Sequence, residues 1–321
     1  ARPTAAPASS AAKLCGGAST VPGLSSAVLE HYRKEFAVID SLRVGISPGQ
    51  KAERGLATTQ SILTFLGKQL KTAPGDTRLH YGWQDMYRQT YPVLGKRWMA
   101  RCDVPDLDLL PRRYGIGQIQ FSAGMENALL HFGIWALAWA VRLGVPLDLP
   151  RHATFLLRAN HWLDRFGSAD GGMHMIIRGR DASGKPHERQ WFIVALRGDG
   201  PQMPCVPAIV LARKLASGAM PGAGATPCVG MVTLAETRID SAIAATLFLL
   251  FLAIPALFAA ADVLGGLEGG VRPDREAVEA GVVHPDPDRE PADGEGGRVG
   301  RTVVAELLLG DDQGQLGAEG G

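Results

Sequence analysis

Residues Leu14–Val28, LCGGASTVPGLSSAV, place a strand end, a tight turn and a helix start within fifteen positions. Leu14-Cys15 ends a short apolar run, and Gly16-Gly17 and Pro22-Gly23 punctuate the turn. Leu24, Val28, Leu29, Tyr32 and Phe36 then recur at helical spacing. A fold that opens this way mixes helices with strands from its first element.

The rest of the body keeps that mixture. Val38, Leu42, Val44 and Ile46 read as a strand closed by Ser47-Pro48-Gly49, and a helix follows over about 57–66. Residues 68–115 read as irregular, with aromatic and proline punctuation. Ile119 and Phe121 suggest a short strand, and very apolar helical spacing follows over 129–143 and again near 155–166. Met173, Met175 and Ile177 alternate with His174, Ile176 and Arg178; with a second strand over about 189–196 they form a β-hairpin. A helix near 207–219 and a strand over 228–234 complete the body. Neighbouring strands interrupted by helices predict an α+β fold, a mixed, largely antiparallel sheet with helices packed on it.

Charge divides the chain. Residues 262–321 hold 14 Asp/Glu against five Arg, 14 Gly and no aromatic residue, and are expected to be disordered, as is the Ala/Pro/Ser-rich leader 1–13. Within that tail, Thr302–Leu309 is an isolated strand or helix. Residues 1–261 carry 28 Lys/Arg against 18 Asp/Glu. No basic stripe interleaves with aromatics, so nucleic acid is not an expected partner. Residues 241–261 are 21 positions without a charge, with five Leu, three Phe and two Ile, for which membrane insertion is favourable by about −3 to −6 kcal/mol. They are a candidate transmembrane helix, with a buried core helix as the alternative.

Chemistry-bearing motifs are sparse. Cys15, Cys102, Cys205 and Cys228 contain no C-x-x-C pair, so no metal site is expected and reduced, mostly buried thiols are. No G-x-G-x-x-G and no phosphate-binding G-x-x-x-x-G-K-[ST] loop is present. Asp103, Asp106 and Asp108 lack the glycine and distal glutamate of a calcium loop and read as a loop and helix cap. His174 faces away from Met173 and Met175 and reads as structural, and His131 as a satisfied core histidine. Trp135 and Trp139 read as core or interface.

CGGASTVPGLSSAV (15–28) and VGISPGQKAERGLATTQSIL (44–63) resemble two strand–turn–helix junctions of saccharopine dehydrogenase-like oxidoreductases, and residues 112–139 and 166–236 read like the bacterial members. The resemblance covers about 14–236. It implies a substrate and dimerisation domain that follows a dinucleotide-binding domain, hydride transfer with NAD(P), a small-molecule substrate and a homodimer; the reduced thiols and the basic body ahead of 241–261 separately point to a cytoplasmic location, with membrane association through that run as the alternative. The dinucleotide-binding half is not found ahead of residue 14, so the expectation is a truncated enzyme that does not bind NAD(P) alone. By resemblance, Pro22, Gly23 and Ser25 face the cofactor, and Ser26, Ser47, Arg54 and Gly55 face the substrate; Ser25 and Ser26 are equally read as helix caps and Arg54 as a solvated or salt-bridged arginine. No catalytic residue is assigned. The alternative is a non-catalytic α+β binding module tethered to a membrane through 241–261.

Overall fold

In chain order the elements are β1 (Lys13–Gly16), α1 (Ser25–Tyr32), β2 (Val38–Ser47), α2 (Leu56–Phe65), β3 (Tyr87–Tyr91), β4 (Gly95–Arg101), α3 (Asp106–Tyr114), β5 (Gln118–Met125), α4 (Ala128–Arg142), α5 (Ala153–Trp162), β6 (Gly171–Arg180), β7 (Pro186–Ala195), α6 (Cys205–Ala216), β8 (Gly224–Pro227) and β9 (Thr302–Leu307). The structure is a computed structural model that describes residues 13–71, 76–220, 224–237 and 302–307. The candidate span 241–261, residues 1–12 of the leader and the tail apart from 302–307 lie outside the described residues. Among the described residues no helix is long and apolar enough to cross a membrane.

The main sheet runs β3-β4-β5-β2-β6-β7, with β9 paired along β7. Within this sheet only β2 and β5 run parallel and the other pairs are antiparallel, while β1 and β8 form a separate two-stranded parallel sheet. The fold is therefore α+β with a mixed, mostly antiparallel sheet. Alternation explains the register. Leu42, Val44 and Ile46 of β2 lie across from Ile119, Phe121 and Ala123 of β5 and from Ile177, Met175 and Met173 of β6. One face is thus a continuous apolar floor, on which α1 sets Val28 and Leu29 and α3 sets Leu107 and Leu110. Each such side chain, fully buried, stabilises the fold by about 1.5–3 kcal/mol.

The opposite face holds His174. The sheet curls until Tyr87 and Tyr91 of β3 reach β6, with three strands lying between them in the sheet order. Tyr91 Oη lies 2.7 Å from His174 Nδ1, and Tyr87 Oη lies 3.2 Å from Nε2. Burial, helped by Arg43, pushes His174 down to about 3, so the imidazole is neutral and bonds one tyrosine as donor and the other as acceptor.

Four readings are corrected. The stretch 68–115 is not irregular: it contains the β3–β4 hairpin and α3. The strand expected over 228–234 is instead β8, just before it; Cys228, Val229, Val232 and Leu234 are buried in turns without a ladder. Asp106 is not a cap, since α3 carries it fully buried. His131 is in the core but not satisfied: neither ring nitrogen has a partner among the described residues, and burial pushes its pKa down to about 4. The Thr302–Leu307 run takes the strand alternative. All four cysteines are free, with Cys102 and Cys228 buried and Cys205 exposed.

Candidate functional site

Two loops converge on the apolar face of the sheet. The turn Thr20–Leu24 leads into α1, and the loop 48–55 links β2 to α2. Together with the end of β5, the start of β6 and the segment 200–204 they enclose a pocket of about 280 Å³. Thr20 and Leu24 form part of one wall, Pro48, Arg54 and Gly55 another, and Met125, Met173 and Ile193 the floor.

The second loop is held from outside the pocket. Glu126, just past β5, accepts hydrogen bonds from the Gln50 N–H at 2.8 Å, the Ser168 N–H at 2.9 Å and the Ser168 hydroxyl at 2.9 Å. Arg97, itself buried, lies 3.4 Å away. Burial pushes the Glu126 carboxyl up, but those donors and the Arg97 charge outweigh it and hold the group below the usual carboxylate range. Gln50 Nε2 donates to Asn160 O, Asn160 Oδ1 and Asp164 Oδ1, each at 3.1 Å. Arg54 donates from Nη1 to Asn160 Oδ1 at 3.0 Å and from Nη2 to Gly49 O at 3.1 Å. Its fork is therefore engaged within the loop and with α5.

The residues singled out by resemblance do not gather at one place. Arg54 and Gly55 line the pocket. Pro22 lines a different apolar hollow of about 380 Å³, with Leu14, Pro105 and Leu109. Gly23 is buried against Pro207. Ser25 and Ser26 are fully buried, and neither makes a capping bond at the start of α1. Ser25 Oγ lies 2.5 Å from Asp106 Oδ2 and 3.2 Å from Pro22 O. Burial raises the Asp106 carboxyl to about 7 against the opposing effect of the Ser25 bond. When Asp106 is ionised, Ser25 donates to it; when it is protonated, it can donate to Ser25, whose own hydrogen then turns to Pro22 O. Ser26 Oγ donates to Gly23 O at 3.0 Å and accepts from the Gly230 N–H at 3.0 Å. Ser47 is fully buried beside Gly124, and its hydroxyl has no partner among the described residues.

The Gly16-Gly17 turn does not fit a dinucleotide. A Cβ on Gly17 would stand 2.5 Å from Pro22 Cδ, so the chain's own proline packs on one side of the turn, and the hollow that Gly16 and Gly17 line on the other is walled by Leu14, Pro105 and Leu109. The first turn of α1 is buried as well. A pyrophosphate needs glycine backbone and free helix N–H groups facing open space. Among the described residues no His/Cys/Asp/Glu group could hold a metal.

Sequence reading missed Trp83, which is fully buried, forms part of the pocket wall and adopts φ 60°. It sits in the stretch that lacked any clear period, where no periodic signal marks it. The holders of the second loop, Glu126, Gln50 and Asn160, were missed too. They are single polar residues 76 and 110 positions apart, with no local pattern.

No family model matches the chain, and no curated protein matches it in sequence. Among solved structures it is similar to apo histidine-tagged saccharopine dehydrogenase (L-Glu forming) from Saccharomyces cerevisiae, with a TM-score of 0.40 and 10% identity over 67% of this chain and 66% of that chain. The chain thus spans just under two thirds of that structure, and sequence does not establish the family.

Proposed function

We propose that residues 14–236 are the substrate-shaping part of a saccharopine dehydrogenase-like oxidoreductase, with NAD(P) held by a dinucleotide-binding fold outside these residues. The observation that carries the reading is the meeting of the two resembling loops, 15–28 and 44–63, around one pocket. When bound, NAD(P) supplies the hydride chemistry. The residues of this chain bind and orient the substrate and exclude water from it. Glu126, Gln50 and Asn160 fix the loop that carries Arg54 and Gly55, which supports positioning rather than proton transfer.

The test is dinucleotide titration, by fluorescence of NADH and NADPH, of the 321-residue chain and of the same chain joined to its in-frame upstream coding sequence. The expected result is no saturable binding by the first and tight binding by the second. Tight binding by the 321-residue chain alone overturns the division of labour, and binding by neither overturns the oxidoreductase reading. The uncharged run 241–261 favours a second reading, a non-catalytic membrane-tethered module. Full recovery of the chain in a detergent-free soluble fraction counts against it.

A further inference from the structure

The smaller sheet is unfinished. β1 and β8 pair in parallel over four residues each, from Lys13 with Gly224 to Gly16 with Pro227, and among the described residues neither strand has a second neighbour. Parallel sheets are ordinarily covered on both faces, and two strands alone are marginally stable. Here Leu14 is 68% exposed, and all four residues of β8 are exposed. Alternation gives the pair two unlike faces. Cys15 packs with Val210 and Leu211 of α6, which cover one face. Leu14, Ala225 and Pro227 stand on the other, where with Pro22, Pro105 and Leu109 they line the hollow of about 380 Å³. No residue lining that hollow carries a charge, and a Cβ on Gly16 would meet nothing within 4 Å.

The two outer edges differ as well. The Cys228 N–H donates to Gly16 O at 2.7 Å, so Gly16 and, two residues before it, Leu14 turn their backbone groups toward β8. The N–H and C=O of Cys15 then point away from β8, and nothing among the described residues pairs with them. On β8 the outward groups include those of Pro227, which has no N–H and whose carbonyl already accepts from the Val229 N–H at 2.8 Å. Proline at an outward position belongs to the true edge of a sheet. The edge of β8 is thereby blunted, and the edge of β1 is left open to another strand.

We propose that the open edge of β1 and the hollow beside Leu14 are one docking surface, and that its occupant is the dinucleotide-binding fold: a strand of that fold adds alongside β1 at Cys15, and one of its helices fills the hollow. The inference rests on the reading of residues 14–236 as part of an oxidoreductase. The chemistry of the surface selects this occupant. A parallel pair with a helix on one face lacks a further parallel strand and a helix on the other face, and a doubly wound α/β fold supplies both. A second copy of this chain, added edge to edge, would pair with β1 but leave the hollow open. The uncharged lining suits the apolar side of a helix.

The experiment is amide hydrogen exchange at Cys15, without dinucleotide, in the 321-residue chain and in the same chain joined to its in-frame upstream coding sequence. Fast exchange is expected in the first and exchange at least tenfold slower in the second. Two variants then separate docking from folding. Cys15→Pro removes the outward N–H and spares the bonds to β8, and Leu14→Glu places a charge in the hollow. Each should leave the melting temperature of the 321-residue chain unchanged and lower that of the joined protein. Equal exchange in the two proteins overturns the proposal, as does a joined protein that neither variant destabilises. Protection in the 321-residue chain that is lost on dilution assigns the edge to a second copy and overturns it too. A joined protein that protects Cys15 but binds neither NADH nor NADPH keeps the docking surface and ends the oxidoreductase reading; one that binds a dinucleotide without protecting Cys15 does the reverse.

Discussion

The loops 16–24 and 48–55 look alike in sequence and behave differently in the fold. Each carries glycine and proline between a strand and a helix. The first packs its turn residues against the chain itself: Pro22 stands beside Gly17, Gly23 abuts Pro207, and Ser25 and Ser26 are spent on Asp106 and Gly230, so that only Thr20 and Leu24 reach the pocket. The second is braced from behind by Glu126 and Asn160, and its Arg54 and Gly55 side faces the pocket. Glycine and proline therefore mark where a chain turns, while the neighbours beyond the loop decide whether the turn encloses protein or space.

The largest effect should come from removing the brace. Glu126→Ala strips the acceptor from three donors and leaves buried Arg97 without its carboxylate, so stability should fall by about 3 kcal/mol or more. Urea unfolding would show a lower midpoint at unchanged slope, and a midpoint like that of the wild type would mean the second loop is held otherwise.

The packed loop should show a pH signature. Asp106 has a folded pKa of about 7, above its ordinary value of 3.8. The folded state therefore holds its proton where the unfolded state has lost it. Stability from this group is full below about pH 4 and declines as pH rises to about 7, by about 2–4 kcal/mol. Asp106→Asn should flatten that part of the stability profile and make the protein more stable than wild type at pH 8. Parallel profiles for the two proteins would remove Asp106 from the account.

A matched pair of glycine substitutions sharpens the contrast at smaller scale. Gly17→Ala puts a Cβ against Pro22 at φ +73° and should destabilise by about 1–3 kcal/mol. Gly55→Ala meets nothing within 4 Å at φ −69° and should stabilise by about 0.4–1 kcal/mol through the unfolded chain. Melting temperatures of the two variants should move in opposite directions; a shared direction would show the loops to be equivalent.

Outside the pocket, Leu129 of α4, Leu143 just past its end, and Phe155 and Trp162 of α5 are exposed. The homodimer expected from the resemblance is a proposal, and this surface is the face it would bury. Light scattering of Leu143→Glu should then report a monomer where wild type reports a dimer, and a monomeric wild type would end that expectation.

Local pattern was enough for β2, α2, α4, β6 and β7. Their apolar residues alternate, or recur every three to four positions, within a single element. The α+β class followed from those elements alone. The β3–β4 hairpin was not legible, because Tyr87 and Tyr91 owe their burial to the curl of the sheet and to His174, which lies more than eighty positions away. Nor was the fate of 228–234, whose apolar residues mimic a strand but are buried in turns tied to α1 by the Gly230–Ser26 bond.

The sequence by itself determined where the chain turns, which faces of its strands and helices are apolar, and that Gly55 and Arg54 precede a helix, because these depend on steric and hydrophobic preferences a few residues long. Only the tertiary structure decided that Asp106 is buried against Ser25, that Glu126 braces a loop 76 positions away, and that Trp83 walls a pocket with its N–H unpaired. Such partners come from distant parts of the chain, and a buried polar group acquires its pKa and its bonds from whatever the fold brings beside it.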